Sequence, residues 1–444
     1  MLRFAIMLKQ GMVMLLHIRN QVGPLFLIFL CPPFVMLLWY ANTQLGGSLS
    51  DLWIMLTQNG VLQTIYEIWQ PYFWGSSTAW AIIFSFIVLE WIFLRFLPGK
   101  MVFGPVTPEG NVPIYKSNGV LAFLITIFLF CIATFGLNLF KASILYDQLG
   151  YILGALNLFS PLVCLLLYFK GRFFPSTTDA SITKHFIFDY YWGTELYPEI
   201  LGVSIKKFIT CRFGMMSWGL LLLSYAAKQV ELGGLANSMV VSVLLQLLYI
   251  AKFFIWEDGY MRSLDIMHDR AGFYICWGCL VWVPCIYTSP SMYLVLHPIH
   301  LSSTMAISIL IAGSIGIMIN YLADKQRQLT RMTEGQCQIW GKRPTTLLAH
   351  YKTENGEAKQ SLLLASGWWG IARHFHYVPE LLASFFWSVP ALFTHFSPYF
   401  YVCYLTILLF DRAFRDDRRC AKKYGQDWKR YCELVPYKIV PFLI

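Results

Sequence analysis

Eight stretches of the 444-residue chain stay apolar for about the 20 residues that a helix needs to cross a hydrocarbon core: 24–40, 78–97, 119–140, 150–169, 213–227, 235–256, 272–288 and 301–323. Two shorter apolar runs, 381–393 and 399–410, flank the sequence Thr-His-Phe-Ser-Pro and predict a tilted helical hairpin that reaches only part-way. The pattern predicts an all-α, polytopic membrane protein of about ten transmembrane helices. Residues 1–444 read as one integral membrane domain, with eight helices and their loops in 1–323 and two further helices in 324–444. The connections 98–118, 171–212, 257–271 and 324–377, and the tail after 410, mix charges with Tyr, Trp, Gly and Pro. That is not flexible-linker composition, and no repeat, low-complexity tract or soluble domain is visible. The first twenty residues, MLRFAIMLKQGMVMLLHIRN, lack a clear small-residue cleavage site and read as an interfacial lead-in to the first span.

Composition agrees with the pattern. The chain is 57% hydrophobic and 13% charged. A soluble domain carries about a quarter charged residues. The 16 Trp and 25 Tyr suit aromatic belts at two membrane interfaces. Charge then orients the chain. Half of the 34 Lys and Arg lie in 324–444, and the N-terminal lead adds Arg3, Lys9 and Arg19 without an acid. With ten spans these basic segments share one face, which the positive-inside rule makes cytoplasmic. The 11 Cys, several inside apolar runs, do not form a secreted disulfide pattern, and Cys276 and Cys279 read as small core residues.

No G-x-G-x-x-G follows a strand, and there is no P-loop or H-E-x-x-H, so a nucleotide would have to be held by side chains on helices. Arg327 and Arg331 stand four apart and share a helix face, suited to phosphate or to a plain positive-inside flank. The run 366–377 offers Trp planes for stacking, donors from Arg373 and His374, and close backbone approach at Gly367 and Gly370. His374 and His376 lack a carboxylate or Cys at ligand spacing, so no metal is expected. The tail places Tyr424, Trp428 and Tyr431 among charges, as a binding surface or an interfacial helix would. Between the sixth and seventh spans stand Glu257, Asp258, Asp265, His268 and Asp269, and ionisable groups at a membrane are usually functional. Glu90 is expected to snorkel near Arg95. The residues alone thus point to an anionic, aromatic-stacking ligand on the cytoplasmic side of a helical bundle.

Several long runs carry a resemblance. GWWGIARHFHYVPELL (367–382), RDDRRCAKKYGQDWKRYCELVPY (415–437) and DIMHDRAGFYICWGCLVWVPCIYTSPSMYLV (265–295) resemble the sterol reductase family, which holds the Δ14- and Δ7-sterol reductases and the membrane part of the lamin B receptor. Matching segments begin near GPVTPEGNVPIYKSNG (104–119) and continue through FDYYWGTELYP (188–198) and CRFGMMSW (211–218), so most of the chain is covered. The details look like the Δ7 branch in its plant-like form. Where Δ14 members usually show R-H-P-N-Y this chain has Arg373-His-Phe-His-Tyr377, and in place of D-G-F-G-F it has Asp269-Arg-Ala-Gly-Phe273.

The resemblance implies ten helices and a cytosol-facing NADPH pocket in 324–444. Its cofactor positions carry over to Arg327, Arg331, Leu364, Trp369, His376, Tyr377, Asp416, Cys420, Tyr424 and Tyr431. Members of the Δ7 group often have Lys where Arg327 stands, which leaves the phosphate geometry at that position open. The implied activity is reduction of a ring double bond in a sterol that enters from the bilayer. An isolated alkene has no electron sink, so protonation must precede hydride transfer. Asp265, His268, Asp269, Glu257 and Tyr260 are the candidate acids. Membrane lipids are expected partners and nucleic acid is not; the oligomeric state stays open. The family places such a chain in the endoplasmic reticulum membrane of a eukaryote or the inner membrane of a bacterium. Competing readings are a Δ14-reductase, a membrane methyltransferase using S-adenosylmethionine, which shares an R-H-P-Y type motif, and a non-catalytic sterol-binding protein.

Overall fold

A computed structural model describes residues 21–107, 109–183, 185–352 and 356–443; the N-terminal lead with Arg3, Lys9 and Arg19 lies outside them. In chain order the main helices begin with α1 (Gly23–Thr43), α2 (Leu49–Gln58), α3 (Val61–Trp69) and α4 (Ser77–Phe96). The hairpin β1 (Lys100–Phe103) and β2 (Ile114–Ser117) precedes α5 (Gly119–Cys131), α6 (Leu149–Phe173) and α7 (Phe186–Trp192). After the short pair β3 (Glu199–Ile200) and β4 (Val203–Ser204) come α8 (Ile205–Glu231), α9 (Asn237–Ile255), α10 (Phe273–Leu296) and α11 (Ser303–Met332). The hairpin β5 (Thr346–Lys352) and β6 (Ala358–Leu364) is followed by α12 (Tyr377–Ser388), α13 (Phe400–Tyr424) and α14 (Gln426–Leu434).

Among the described residues, eight helices are long and apolar enough to cross a membrane, and they coincide with the eight long apolar stretches of the sequence. Their starts follow local chemistry. Ser76 and Ser302 accept the backbone N–H groups of Ala79 and Met305, capping α4 and α11. The two shorter apolar runs fall on α12 and on the first half of α13, a helix of 25 residues. At 12 residues, α12 is about 18 Å long, well short of a hydrocarbon core. Helix α13 begins apolar and ends charged, and Gly425 at φ +55° turns the chain into α14.

The architecture is mostly helical, but the polar connections also fold into antiparallel hairpins that the apolar pattern does not reveal. The longest, β5–β6, pairs Thr346 with Leu364 through to Lys352 with Ala358. Ala349 on β5 and Leu363 on β6 turn inward onto α13 and α14. Three spans carry π-helical stretches: Ile132–Gly136 after α5, Phe208–Gly214 within α8 and Gly278–Tyr287 within α10.

The chain divides into two compact units. The first comprises Met1–Lys228 and Tyr260–Met292, and the second Gln229–Gly259 and Tyr293–Ile444. In the first unit, buried polar groups are tied across helices. Glu90 is fully buried and accepts from Thr126 at 2.5 Å, so it does not snorkel. Arg212, also fully buried, donates to Asn118, which in turn donates to the Phe93 carbonyl. In the second unit, α9, α11 and α12 pack around buried Trp387, whose carbonyl accepts from Ser242.

Candidate functional site

The second unit gathers most of the residues singled out in 324–444. The last turns of α11 present Asp324, Arg327 and Arg331. The Arg327 guanidinium lies 4.3 Å from the Trp369 ring centroid and 3.7 Å from the Asp324 carboxylate. Trp369 is buried and donates its indole N–H to the Ala323 carbonyl at 2.7 Å, which fixes the ring beneath the cation. Arg331 is exposed and has no carboxylate partner among the described residues.

The segment after β6 supplies the aromatic planes. Trp369 leads to His376 (centroids 4.9 Å apart) and His376 to Tyr377 (4.2 Å), while His374 stacks on Tyr377 at 7°. Burial pushes the His374 imidazole down to about 4 and His376 well below its ordinary value, so both are neutral near pH 7. His374 Nε2 stands 3.9 Å from Asp416, beyond hydrogen-bond reach, and His376 Nδ1 has no partner among the described residues. Two oriented, buried imidazole atoms without protein partners fit a ligand that brings its own polar groups.

Two sequence readings of this segment change. At φ +61°, a Cβ on Gly367 would meet Gln326 Oε1 at 2.4 Å, so this glycine admits α11. Arg373 donates from one terminal nitrogen to the carbonyls of Val435 and Pro436, and its Nε lies 3.6 Å from Asp417, so it ties the tail down.

The tail closes the cluster. Asp416 pairs with Arg419 at 2.6 Å and approaches Cys420. Cys420, Tyr424, Trp428 and Tyr431 pack with Leu363 and Val435. Tyr431 donates to the Leu364 carbonyl at 2.8 Å, and the Leu364 side chain packs with Trp369 and Ile339. Burial pushes the Tyr431 phenol up to about 12, against the opposing charges of Arg327, Arg373 and Arg331. Side-chain contacts and hydrogen bonds thus connect the candidate positions on α11, β6, the 366–377 segment and the tail.

A further polar chain in this unit escaped the sequence reading. Tyr249 on α9 donates to the Glu380 carboxylate on α12. Lys252 lies 4.6 Å from the Tyr249 ring centroid and donates to Asn320 at 2.5 Å, and Asn320 donates to the His376 carbonyl at 2.9 Å. The available signal was a lysine inside the sixth apolar run.

Four of the five candidate acids belong to the first unit; Glu257, fully buried, belongs to the second. Asp269 is buried and contacts the exposed ring of His268 at 3.0 Å. The buried Lys206 donates to the carbonyls of Ile266 and Asp269 at 2.7 and 2.6 Å, holding this turn in place. Tyr260 bonds Thr210, and burial together with the half-buried Asp265 pushes its phenol well above the ordinary value. Arg270 donates to the carbonyls of Asp179 and Thr194, pinning the segment to the Phe188–Pro198 run.

A family model described as the ergosterol biosynthesis ERG4/ERG24 family matches residues 41–444. A 7-dehydrocholesterol reductase of Arabidopsis thaliana is 52% identical over 96% of this chain and 98% of its own. One of Xenopus laevis is 39% identical over 81% and 78%. A Δ14-sterol reductase of Methylotuvimicrobium alcaliphilum is 35% identical over 94% and 93%.

Proposed function

The chain belongs to the ERG4/ERG24 family of sterol reductases, and from that premise we propose that it uses NADPH to reduce the Δ7 double bond of a Δ5,7-sterol such as 7-dehydrocholesterol. The observation that carries the Δ7 assignment is 52% identity, across nearly the full length of both chains, to a protein named for that reaction.

NADPH would be held by Arg327 and Arg331 at its phosphates and by the Trp369, His376 and Tyr377 rings, with the Leu364, Asp416, Cys420, Tyr424 and Tyr431 cluster forming the adjoining wall. When bound it supplies a hydride. The protein must supply a proton and exclude water. Protonation at carbon 8 of the diene leaves an allylic cation over carbons 5 to 7, which hydride at carbon 7 quenches.

Tyr260, Asp265, His268, Asp269 and Glu257 are the acids that the sequence suggests. The placement of Tyr249 favours it instead: its hydroxyl bonds Glu380, and Lys252, which bonds Asn320 and through it the His376 carbonyl, lies over its ring. Its hydroxyl can release a proton to carbon 8, with Lys252 beside the ring as the phenolate develops. Glu380, hydrogen-bonded to the same oxygen, can then relay a proton from solvent to restore the hydroxyl.

The test is the purified chain in lipid with 7-dehydrocholesterol and NADPH, following loss of the diene absorbance and a two-hydrogen gain in mass. A retained diene, with a Δ14-sterol reduced under the same conditions, would overturn the Δ7 reading. In a eukaryotic cell we place the protein in the endoplasmic reticulum membrane, and in a bacterium in the inner membrane.

A further inference from the structure

We infer that α2 and α3 form a hairpin lying in the plane of the membrane, with one face of α3 seated in the boundary between lipid headgroups and acyl chains. The hairpin joins the ends of two membrane-spanning helices, Thr43 of α1 and Ser77 of α4, so short tethers hold it at the level where those helices leave the hydrocarbon.

The sequence of α3 is divided into three strips, each an i, i+4 pair on one side of the helix. Thr64 and Ile68 are buried, and Ile68 packs with Ala41 and Leu52 against α1. Gln63 and Glu67 are exposed and polar, bonded to each other at 2.7 Å. Leu62 and Tyr66 are exposed and apolar, at 84% and 62% of their full surface. A helix on a water-soluble surface needs only a buried strip and a wet one. A third, exposed apolar strip adjoining the wet one is what an interfacial helix presents to lipid.

Neighbouring residues continue the pattern. Trp53, Ile54 and Trp74 are exposed large side chains on the same connection, and Trp and Tyr favour the interface. No Lys or Arg occurs from residue 20 to residue 94. Attraction to anionic headgroups therefore cannot hold the hairpin. Burial of the apolar strip must do so.

The experiment is site-specific incorporation of a photo-crosslinking benzoylphenylalanine at Leu62 and Tyr66, and separately at Gln63 and Glu67, in the full chain reconstituted in phosphatidylcholine–phosphatidylethanolamine vesicles. All four positions are exposed, and retained reductase turnover confirms that each variant folds. Lipid adducts at 62 and 66, in several-fold excess over 63 and 67, are expected by mass spectrometry. Equal labelling of the two strips, absence of adducts at both, or covalent dimers formed through 62 and 66 would overturn the inference.

Discussion

Both units hold cations near their candidate chemistry, but these groups end on different partners. In the first unit, Lys206 ends on the carbonyls of Ile266 and Asp269, and Arg270 on those of Asp179 and Thr194. In the second, Arg327 lies over an indole, Arg331 has no carboxylate partner among the described residues, and His374 and His376 keep ring nitrogens outside hydrogen-bond reach. A buried donor saturated by carbonyls maintains a fold. An oriented group without a protein partner is suited to a ligand. We therefore propose that the arginine–aromatic cluster binds the ligand and that Lys206 and Arg270 serve the fold of the 260–270 turn, as Arg373 serves that of the tail in the second unit.

The largest effect that could break this division is on turnover. Tyr249→Phe is expected to lower kcat on the order of 10²–10⁴-fold with little change in the KM for NADPH, while Asp265→Asn and His268→Ala retain most activity. The reverse ranking would return the acid to the first unit. Next, Arg327→Ala and Arg331→Ala should each raise the KM for NADPH by about 10–100-fold, from charged contacts worth about 1.5–3 kcal/mol, and should narrow the preference over NADH. Equal loss with both nucleotides would place these guanidiniums away from the 2′-phosphate.

A smaller effect concerns acid. His374 has its pKa lowered from 6.5 to about 4 by burial, so below pH 6.5 the unfolded chain takes up a proton that the folded one refuses. Stability from this group is complete above pH 6.5 and is lost progressively down to about 4. The loss at pH 5 is about 2 kcal/mol, read as a fall in unfolding temperature that His374→Phe should diminish. Smallest is Lys206→Met, which leaves two carbonyls in want of a donor. It should cost about 1–2 kcal/mol of stability while the KM for NADPH stays unchanged; a raised KM would give the turn a part in binding.

How much of this was legible depended on distance along the chain. The eight long spans could be read because each is a continuous local run that lipid tolerates and water does not. The cofactor positions came from the family resemblance; residue chemistry alone reached only an anionic, stacking ligand. Glu90 was misread because Arg95 is its nearest charge in sequence, while its partner Thr126 lies 36 positions away on another helix. The Tyr249–Glu380 contact spans 131 positions and has no local signature. The β5–β6 hairpin was missed because seven-residue strands with one or two buried positions each hardly differ from a polar loop. Gly367 suggested backbone access, but only the packed structure reveals that the approaching group is Gln326.

Where the Phe188–Pro198 run meets the 260–270 turn, Gly193 and Gly272 place their backbones against each other. A Cβ on Gly193 would fall 2.6 Å from the Gly272 nitrogen, and one on Gly272 would fall 2.2 Å from the Gly193 nitrogen. Neither atom in the way is a side chain that a second mutation could shorten. Any missense change at either codon should therefore act as a loss-of-function allele with no intragenic suppressor at the other, so a saturation library should recover glycine alone at both positions.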